Sequence, residues 1–241
     1  MLLGKVTDTQ DTTGTVLEEH PVEVTEEQVK EAVLSFTGEY MQVPPMYSAL
    51  KVNGKKLCDL ARAGVTVERQ ARPVQIYSIE IIKMELPRVC MRVRCSKGTY
   101  IRTLCQDIGE KLSCGACMES LLRTKVSEFC VQDALRLSEI EERVQKAAGQ
   151  TPSEQWNAEM FDFIYAVDSV FLQYKKAVIC KEWNKLLYNG NRMKKDMFVS
   201  YQKDWEQQKV RIYDEEGRFI GIYEYSEIHG DYKPVKLFME A

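Results

Sequence analysis

Two alternating segments followed by a helical one constrain the fold more than any other feature of this sequence. In residues 72–86 and 88–96, apolar and polar side chains alternate with a period of two, which predicts a pair of β-strands. After Gly98, apolar residues recur at helical spacing through residues 100–112, and Thr99 stands in the N-cap position. A strand pair that runs directly into such a helix indicates an α+β domain.

The rest of the first 148 residues alternates between helical and extended patterns. Thr25 and Gln28 form a capping-box pattern that begins a helix, which we expect to end before Gly38. The further predicted elements are short helices at 55–63, 115–123 and 138–148 and a strand at 125–131.

The character of the sequence changes near residue 149, which indicates a second domain. Residues 149–160 are polar and contain a proline, as is typical of a linker. Beyond them, a hairpin pattern about Glu216-Gly217 and a last alternating segment predict a small β-rich domain. We therefore predict a first domain at 1–148, a linker at 149–160 and a β-rich domain at 161–241.

Charge is distributed unevenly along the chain. The formal net charge of −3 argues against binding nucleic acid through bulk charge alone. Residues 41–72, here called the basic segment, hold only Asp59 and Glu68 as acidic residues. Its basic residues are Lys51, Lys55, Lys56, Arg62, Arg69 and Arg72. Because residues 42–56 also carry a proline pair and an Asn-Gly turn, they are typical of an exposed functional loop that contacts phosphates, although a solvated charged face is an equally good interpretation.

Tyr100 and Arg102 stand where the helix after Gly98 is predicted to begin, at its first and third positions. A helix N-terminus presents free backbone N–H groups and the positive end of the helix dipole, which suit an anion or phosphate. A tyrosine offers a ring face for a base, and an arginine offers a planar fork for a carboxylate or phosphate. The alternative is that Tyr100 packs in the core while Arg102 lies on the surface.

The cysteines predict thiols rather than a metal or redox site. Eight cysteines are scattered through apparent strands and helices, and with no export signal we expect free thiols in a reducing cytoplasm. Cys114 and Cys117 have the CxxC spacing of a zinc or redox site, but there is no second pair, and His20 and His229 are isolated. Small-residue packing at a helix start is the better interpretation. No apolar run reaches the roughly 18 residues that a membrane span requires.

Taken together, several stretches resemble the bacterial TruB-type tRNA pseudouridine-55 synthases. The resemblance is carried by LGKVTDTQDTTG at 3–14, QVPPMYSALKVNGKKLCDLARAG at 42–64, ERQARPVQIYSIEI at 68–81, CSKGTYIRTLCQDIGEKLSCGA at 95–116 and SLLRTKVSEF at 120–129. It runs nearly continuously through residues 1–148. Residues 161–241 are similar, more weakly, to the small PUA-like or TruB C-terminal domain that follows in such enzymes.

The resemblance implies a fold and an activity. The fold is a pseudouridine-synthase-type mixed or antiparallel sheet with flanking helices, followed by a PUA-like RNA-binding domain. The family converts one uridine of the tRNA T-loop to pseudouridine without cofactor or metal, and it flips the base out of the loop to do so. By the same resemblance, the protein is cytoplasmic and its partner is the tRNA T-arm.

The resemblance also implies roles for individual residues. Tyr100 is expected to lie near the target base, Arg102 to pair with the catalytic aspartate, Leu121 to form part of the pocket wall and Asp11 to border the flipped base. The remaining residues that we expect to bind the substrate are Tyr47, Lys51, Lys55, Lys56, Arg72 and Lys97.

One expected motif does not occur in the sequence. The catalytic aspartate of the family lies in a Gly-x-Leu-Asp-Pro-x-Ala motif, ahead of the stretch that matches Leu3-Gly4, and this chain contains no such motif. We therefore expect an N-terminally truncated catalytic domain that is inactive alone. In it, Arg102 would lack a carboxylate partner, and an exposed sheet edge would be available to the missing segment or to another chain.

Two other functions remain open at this point. The first is a non-catalytic module that binds the tRNA T-loop or assists RNA folding, which would show salt-dependent binding without product. The second is a metal or redox protein built on Cys114 and Cys117, which a zinc assay would reveal.

Overall fold

The computed structural model describes residues 1–52, 54–149 and 160–239, and the chain divides into two compact units. Unit 1 is Met1–Arg123 and unit 2 is Thr124–Ala241. The predicted linker at 149–160 lies almost entirely outside the described residues, so the predicted domain boundaries stay a prediction.

Unit 1 is built on an antiparallel sheet. Its strands are β1 (Leu2–Leu3), β2 (Lys5–Thr7), β3 (Val16–Glu19), β4 (Gly38–Gln42), β5 (Lys51–Val52), β6 (Lys55–Lys56), β7 (Arg72–Glu85), β8 (Arg88–Cys95) and β9 (Ala116–Cys117). Its helices are α1 (Glu26–Leu34), α2 (Leu57–Arg62) and α3 (Ile101–Lys111). Among the described residues, the main sheet has the strand order β4-β7-β8-β1-β9, while β2-β3 and β5-β6 form separate hairpins.

The predicted strand pair is confirmed. β7 and β8 are antiparallel, with Ile79 opposite Val93 and Ile81 opposite Met91. On β8 the exposed residues alternate with buried or half-buried ones, so one face of the strand turns towards the core. The predicted α1 is also confirmed, since Thr25 and Gln28 form a reciprocal capping box.

Helices α1 and α3 share one apolar core with the sheet. Val29 and Val33 of α1, Ile76 of β7, and Leu104 and Ile108 of α3 are fully buried together. Each such side chain contributes about 1.5–3 kcal/mol when it leaves water. This core fixes α3 against the sheet and therefore fixes where the residues at the start of α3 lie.

Two local predictions in unit 1 are wrong. The N-cap of α3 is Tyr100 rather than Thr99, because the Thr99 hydroxyl donates to the Ser96 carbonyl in the preceding turn instead of capping the helix. The predicted helix at 115–123 does not form. Residues 116–117 instead pair with β1, and Gly115 adopts a positive φ of 68° that interrupts any helix at its start.

Within the described residues, unit 2 holds a four-stranded sheet formed by its last four strands in chain order. Its elements are β10 (Lys125–Val126), β11 (Phe129–Cys130), α4 (Leu137–Ala148), β12 (Lys175–Val178), α5 (Asn184–Tyr188), β13 (Lys209–Tyr213), β14 (Phe219–Ser226) and β15 (Asp231–Leu237). The hairpin predicted about Glu216-Gly217 is confirmed as β13–β14. The strand predicted at 125–131 is instead the short hairpin β10–β11.

Within the described ranges, no helix combines the length and the apolar character that crossing a membrane requires.

Candidate functional site

The turn between β2 and β3 presents a carboxylate that is held by its own neighbours. Oδ1 of Asp11 accepts hydrogen bonds from the Thr9 hydroxyl at 3.0 Å, the Thr13 backbone N–H at 3.0 Å and the Thr13 hydroxyl at 2.5 Å. The base of the turn is closed by the Thr15 N–H, which donates to the Asp8 carboxylate at 2.8 Å. The threonines of this turn therefore satisfy one oxygen of Asp11 and leave Oδ2 for another partner.

That partner is Arg102 in the first turn of α3. Its Nη1 donates to Oδ2 of Asp11 at 3.1 Å and to the Thr9 carbonyl at 3.4 Å, while Nη2 donates to the Tyr47 carbonyl at 2.8 Å. The side chains of Arg102 and Asp11 are 26% and 16% exposed, so the pair is mostly shielded from water. One guanidinium thus joins the 7–15 turn, the basic segment and α3.

The expectation that Arg102 lacks a carboxylate partner is wrong. It was based on the absence of the family's aspartate motif, but the β2–β3 turn packs against the start of α3 and supplies Asp11 instead. An arginine this shielded would otherwise carry a substantial desolvation cost.

The surroundings of Asp11 favour its ionised form. Partial burial opposes ionisation, but the hydrogen bonds from Thr13, Thr9 and Arg102 outweigh burial and hold the pKa of Asp11 below its ordinary value. Asp11 is therefore a fixed negative charge at neutral pH, with three hydrogen bonds to Oδ1 and one to Oδ2.

Two buried or half-buried glutamines, which sequence reasoning missed, attach the start of α3 to the rest of unit 1. The Gln42 side chain, 1% exposed, accepts from the Tyr100 N–H at 2.8 Å and donates to the Tyr100 carbonyl at 3.1 Å. Gln10, at a left-handed φ of 64°, accepts from the Thr103 hydroxyl at 2.8 Å. A glutamine at the end of a strand or in a turn gives no local signal of such a role.

Tyr100 is half-buried at the N-cap of α3, two residues before Arg102. Tyr47 is half-buried and meets Arg102 through its backbone carbonyl. The structure therefore brings together Tyr100, Arg102, Asp11 and Tyr47, which were selected from separate parts of the sequence.

The other candidate residues are exposed. Lys51, Lys55 and Lys56 are on the β5–β6 hairpin and, with Asp59 and Leu60, line an open cleft of about 500 Å³. In the described part of unit 1, no hydrogen bond or ion pair engages the side chains of these three lysines.

Three further candidates also have exposed side chains. Arg72 lies at the start of β7, opposite Gln42 of β4. Lys97 is in the turn before α3. Leu121 is in the irregular segment after β9 and is 56% exposed.

The CxxC pair has the surroundings of packed thiols. Cys114 and Cys117 are buried, and burial raises the pKa of both. A raised pKa disfavours the thiolate, which is the form that binds metals and attacks disulfides. All eight cysteines are free.

A second acid lies on the buried side of α3. Burial, with repulsion from Glu110, raises the pKa of Asp107 to about 6, while a hydrogen bond from Tyr40 partly opposes the shift. The Tyr40 hydroxyl in turn accepts from the Gln42 amide. Asp107 is thus linked through Tyr40 and Gln42 to the backbone of Tyr100.

Comparison with known structures supports the fold. The chain superposes on a chain of a Cbf5-Nop10-Gar1 complex with a TM-score of 0.61 and 20% identity, covering 92% of this chain and 63% of that one. It also superposes on a chain of an H/ACA RNP bound to a substrate RNA containing 2′-deoxyuridine, with a TM-score of 0.59 and 17% identity, covering 92% and 64%. The chain therefore spans less than two thirds of the length of either solved chain.

Sequence comparison identifies the family. The model of the TruB family pseudouridylate synthase N-terminal domain matches residues 1–101, and that of the tRNA pseudouridylate synthase B C-terminal domain matches residues 102–172. The tRNA pseudouridine synthase B of Lachnoclostridium phytofermentans is 47% identical over 218 residues, covering 86% of this chain and 67% of the relative. That of Clostridium kluyveri is 38% identical over 237 residues, covering 98% and 75%. The chain belongs to the TruB family of pseudouridine synthases.

Proposed function

We propose that this chain binds the T-arm of tRNA and holds its target uridine at the start of α3. In the whole protein, this uridine would be converted to pseudouridine. The observation that carries the proposal is the meeting of Tyr100, Arg102 and Asp11 at one helix N-terminus, in the unit that also holds a lysine-rich hairpin.

Tyr100, Arg102 and Asp11 at the start of α3, here called the corner, have a chemistry that suits a base taken out of its stack. An aromatic ring at the N-cap offers a face on which a base can stack, and a neighbouring fixed carboxylate can accept a hydrogen bond from an imide N–H of uracil. Because Arg102 neutralises Asp11, the corner can accept an uncharged base without an uncompensated charge.

The β5–β6 hairpin supplies the phosphate contacts in this proposal. Lys51, Lys55 and Lys56 are exposed on two adjacent short strands. Arg72 is exposed at the start of β7, and Lys97 is exposed in the turn before α3. Each cation that neutralises a phosphate releases counterions, so the affinity should fall steeply with salt.

Binding without conversion is the outcome that we expect of these 241 residues by themselves. Asp11 is the carboxylate at the site, but three of its hydrogen bonds come from Thr9 and Thr13 and another from Arg102, which leaves it poorly suited to attack. The family's aspartate motif is not in the sequence. The same observations favour the second candidate function, a T-loop-binding module without chemistry.

Strand β8 offers an edge for a segment that would supply the aspartate. Within the described residues, β1 pairs with β8 at Leu2 and Arg88, and Met1 exchanges backbone hydrogen bonds with Val89, so no strand pairs with the far side of residues 90–95. Met91 and Val93 pack against the core from this strand. An additional strand, from another segment or another chain, would satisfy these backbone groups and cover apolar surface. A cytoplasmic location, where tRNA is available, is part of the same proposal.

Pseudouridine formation in a tRNA transcript by the purified 241-residue chain, with binding of a T-arm stem-loop measured in the same samples, tests the proposal. We expect salt-dependent binding and no product. Product would contradict the expected inactivity and restore the full family activity to this chain. If the stem-loop binds no better than an unrelated hairpin, the proposed function fails.

A further inference from the structure

We propose that Gln42 is a positioning residue that fixes the orientation of Tyr100 towards the bound base, an inference that rests on the proposed function. The side chain of Gln42 forms hydrogen bonds with both the backbone N–H and the backbone carbonyl of Tyr100, although the two residues are 58 positions apart in the chain. It would act through Tyr100 and would not itself touch the substrate.

Only one orientation of the Gln42 side-chain amide, with its oxygen towards the Tyr100 N–H, agrees with its hydrogen-bond partners. Its oxygen accepts from the Tyr100 N–H at 2.8 Å, and its nitrogen donates to the Tyr100 carbonyl at 3.1 Å and to the Tyr40 hydroxyl. Since a backbone N–H can only donate, the oxygen must face it. The side chain therefore has a partner for its acceptor and for both donors, as a residue only 1% exposed requires.

Gln42 binds the backbone of the N-cap residue in a helix that has no side-chain cap. No side chain of α3 caps its N-terminus, because Tyr100, which occupies the N-cap position, cannot form the hydrogen bond that serine or aspartate forms there. The Tyr100 carbonyl also accepts the first helical hydrogen bond, from Leu104 at 3.0 Å. Gln42 therefore holds the backbone of Tyr100, the residue at which the chain passes from the loop into the helix. In this way it limits the orientations that are open to the Tyr100 ring.

Gln42 also couples this corner to the basic segment. It is the last residue of β4, where it lies opposite Arg72, and it begins the loop whose Tyr47 carbonyl binds Arg102. A shift of Gln42 would move the aromatic ring relative to the arginine and the lysine hairpin together. Small displacements of this kind are enough to weaken recognition of a flipped base.

Amide hydrogen exchange at Tyr100 tests these hydrogen bonds directly, whether or not RNA binds. We expect the Tyr100 amide to exchange at least about tenfold faster in Gln42→Leu than in the unmodified chain, while the amide of Ile79 in the core is unchanged. Gln42→Met has a similar volume and likewise lacks the acceptor and the donors, so it serves if Gln42→Leu does not fold. Gln106→Leu is the matched control, because the Gln106 amide bonds Glu110 later in α3, and it should leave Tyr100 exchange unchanged. Unchanged exchange in both Gln42 variants would overturn the inference.

A double-mutant cycle then tests the positioning role. We expect Gln42→Leu to weaken binding of the T-arm stem-loop by about tenfold when Tyr100 is present and by less than about twofold in a Tyr100→Ala background. Equal losses in the two backgrounds would mean that Gln42 acts only on general structure and would overturn the inference. If the unmodified chain binds no stem-loop, the proposed function fails, whereas the exchange rates still decide whether Gln42 holds Tyr100.

Discussion

Oδ2 of Asp11 lies 3.1 Å from Nη1 of Arg102, across 91 residues of sequence. The first belongs to a turn between two short strands and the second to the first turn of α3. Their meeting gives unit 1 a shielded ion pair beside an aromatic N-cap residue, which is the feature on which the proposed binding site depends.

Removing the carboxylate should destabilise the fold. We expect Asp11→Asn to lower the free energy of unfolding by about 1–3 kcal/mol, because Arg102 stays mostly shielded without its counter-charge. Urea denaturation measures this loss. Asp59→Asn is the control, since Asp59 and Arg62 form an exposed pair at 3.8 Å that should contribute less than about 0.5 kcal/mol. Equal effects of the two substitutions would show that the Asp11 pair is solvated.

Removing the aromatic ring should weaken RNA binding without affecting the fold. Base stacking on an aromatic side chain contributes about 1–3 kcal/mol, so we expect Tyr100→Ala to bind the T-arm stem-loop about tenfold more weakly and Tyr100→Phe to bind nearly as well as the original. Fluorescence anisotropy with a labelled stem-loop gives the affinities. Tyr77→Ala, at an exposed tyrosine of β7, should have no effect. An equal loss in Tyr100→Phe would assign the role to the hydroxyl instead.

The salt dependence of binding should identify the lysines that contact phosphates. For each phosphate contact removed, the slope of log affinity against log salt falls by about 0.7–0.9, and we expect this change for Lys55→Gln. The measurement is a series of binding titrations between low and physiological salt. Lys30→Gln, on the exposed face of α1, should leave the slope unchanged. If both variants keep the original slope, the β5–β6 hairpin does not contact phosphate.

Stability should depend on pH through Asp107. Its pKa is raised from 3.8 to about 6, chiefly by burial, so between these values the folded chain retains a proton that the unfolded chain has released. Stability from this group is therefore greatest below about pH 4 and falls as the pH rises towards 6.

The Asp107→Asn variant isolates this contribution. We expect it to be more stable than the original by about 1–3 kcal/mol at pH 7 and to lose most of that advantage at pH 4. Urea denaturation at several pH values, compared between the two proteins, provides the difference. A constant difference across this range would show that Asp107 titrates normally.

Gly109 should not tolerate a side chain. It lies inside α3, where alanine would ordinarily be preferred, but an added Cβ would stand 2.2 Å from the backbone nitrogen of Ala116. We expect Gly109→Ala to lower the free energy of unfolding by roughly 3 kcal/mol, as thermal and urea denaturation would show. Gly149→Ala is the control, because its nearest neighbours are 3.7 Å away and its φ is −72°. It should be neutral or slightly stabilising.

Patterns set by neighbours in the chain were predictable from the sequence. The alternation of β7 and β8, the capping box of Thr25 and Gln28, and the hairpin at Glu216-Gly217 all depend on residues a few positions apart. The family resemblance also came from contiguous motifs. It directed attention to Tyr100, Arg102 and Asp11 before their positions were known.

Local patterns failed where another hydrogen-bonding partner competed, whether near or far in the chain. Thr99 has the chemistry of an N-cap, yet its hydroxyl bonds Ser96, and Gln42 holds the helix start instead. Residues 116–123 have helical composition, yet residues 116–117 form β9, whose backbone groups pair with β1 in the main sheet.

Local sequence patterns are sufficient to predict the strand pair, the helix that follows it and the kinds of side chain at their junction. The pairing of Asp11 with Arg102 and of Gln42 with Tyr100 depends on long-range packing. The reason is physical: periodicity and capping are short-range, whereas these hydrogen bonds join residues 91 and 58 positions apart. They exist because the core of α1, α3 and the sheet brings a turn and a strand end to the N-terminus of α3.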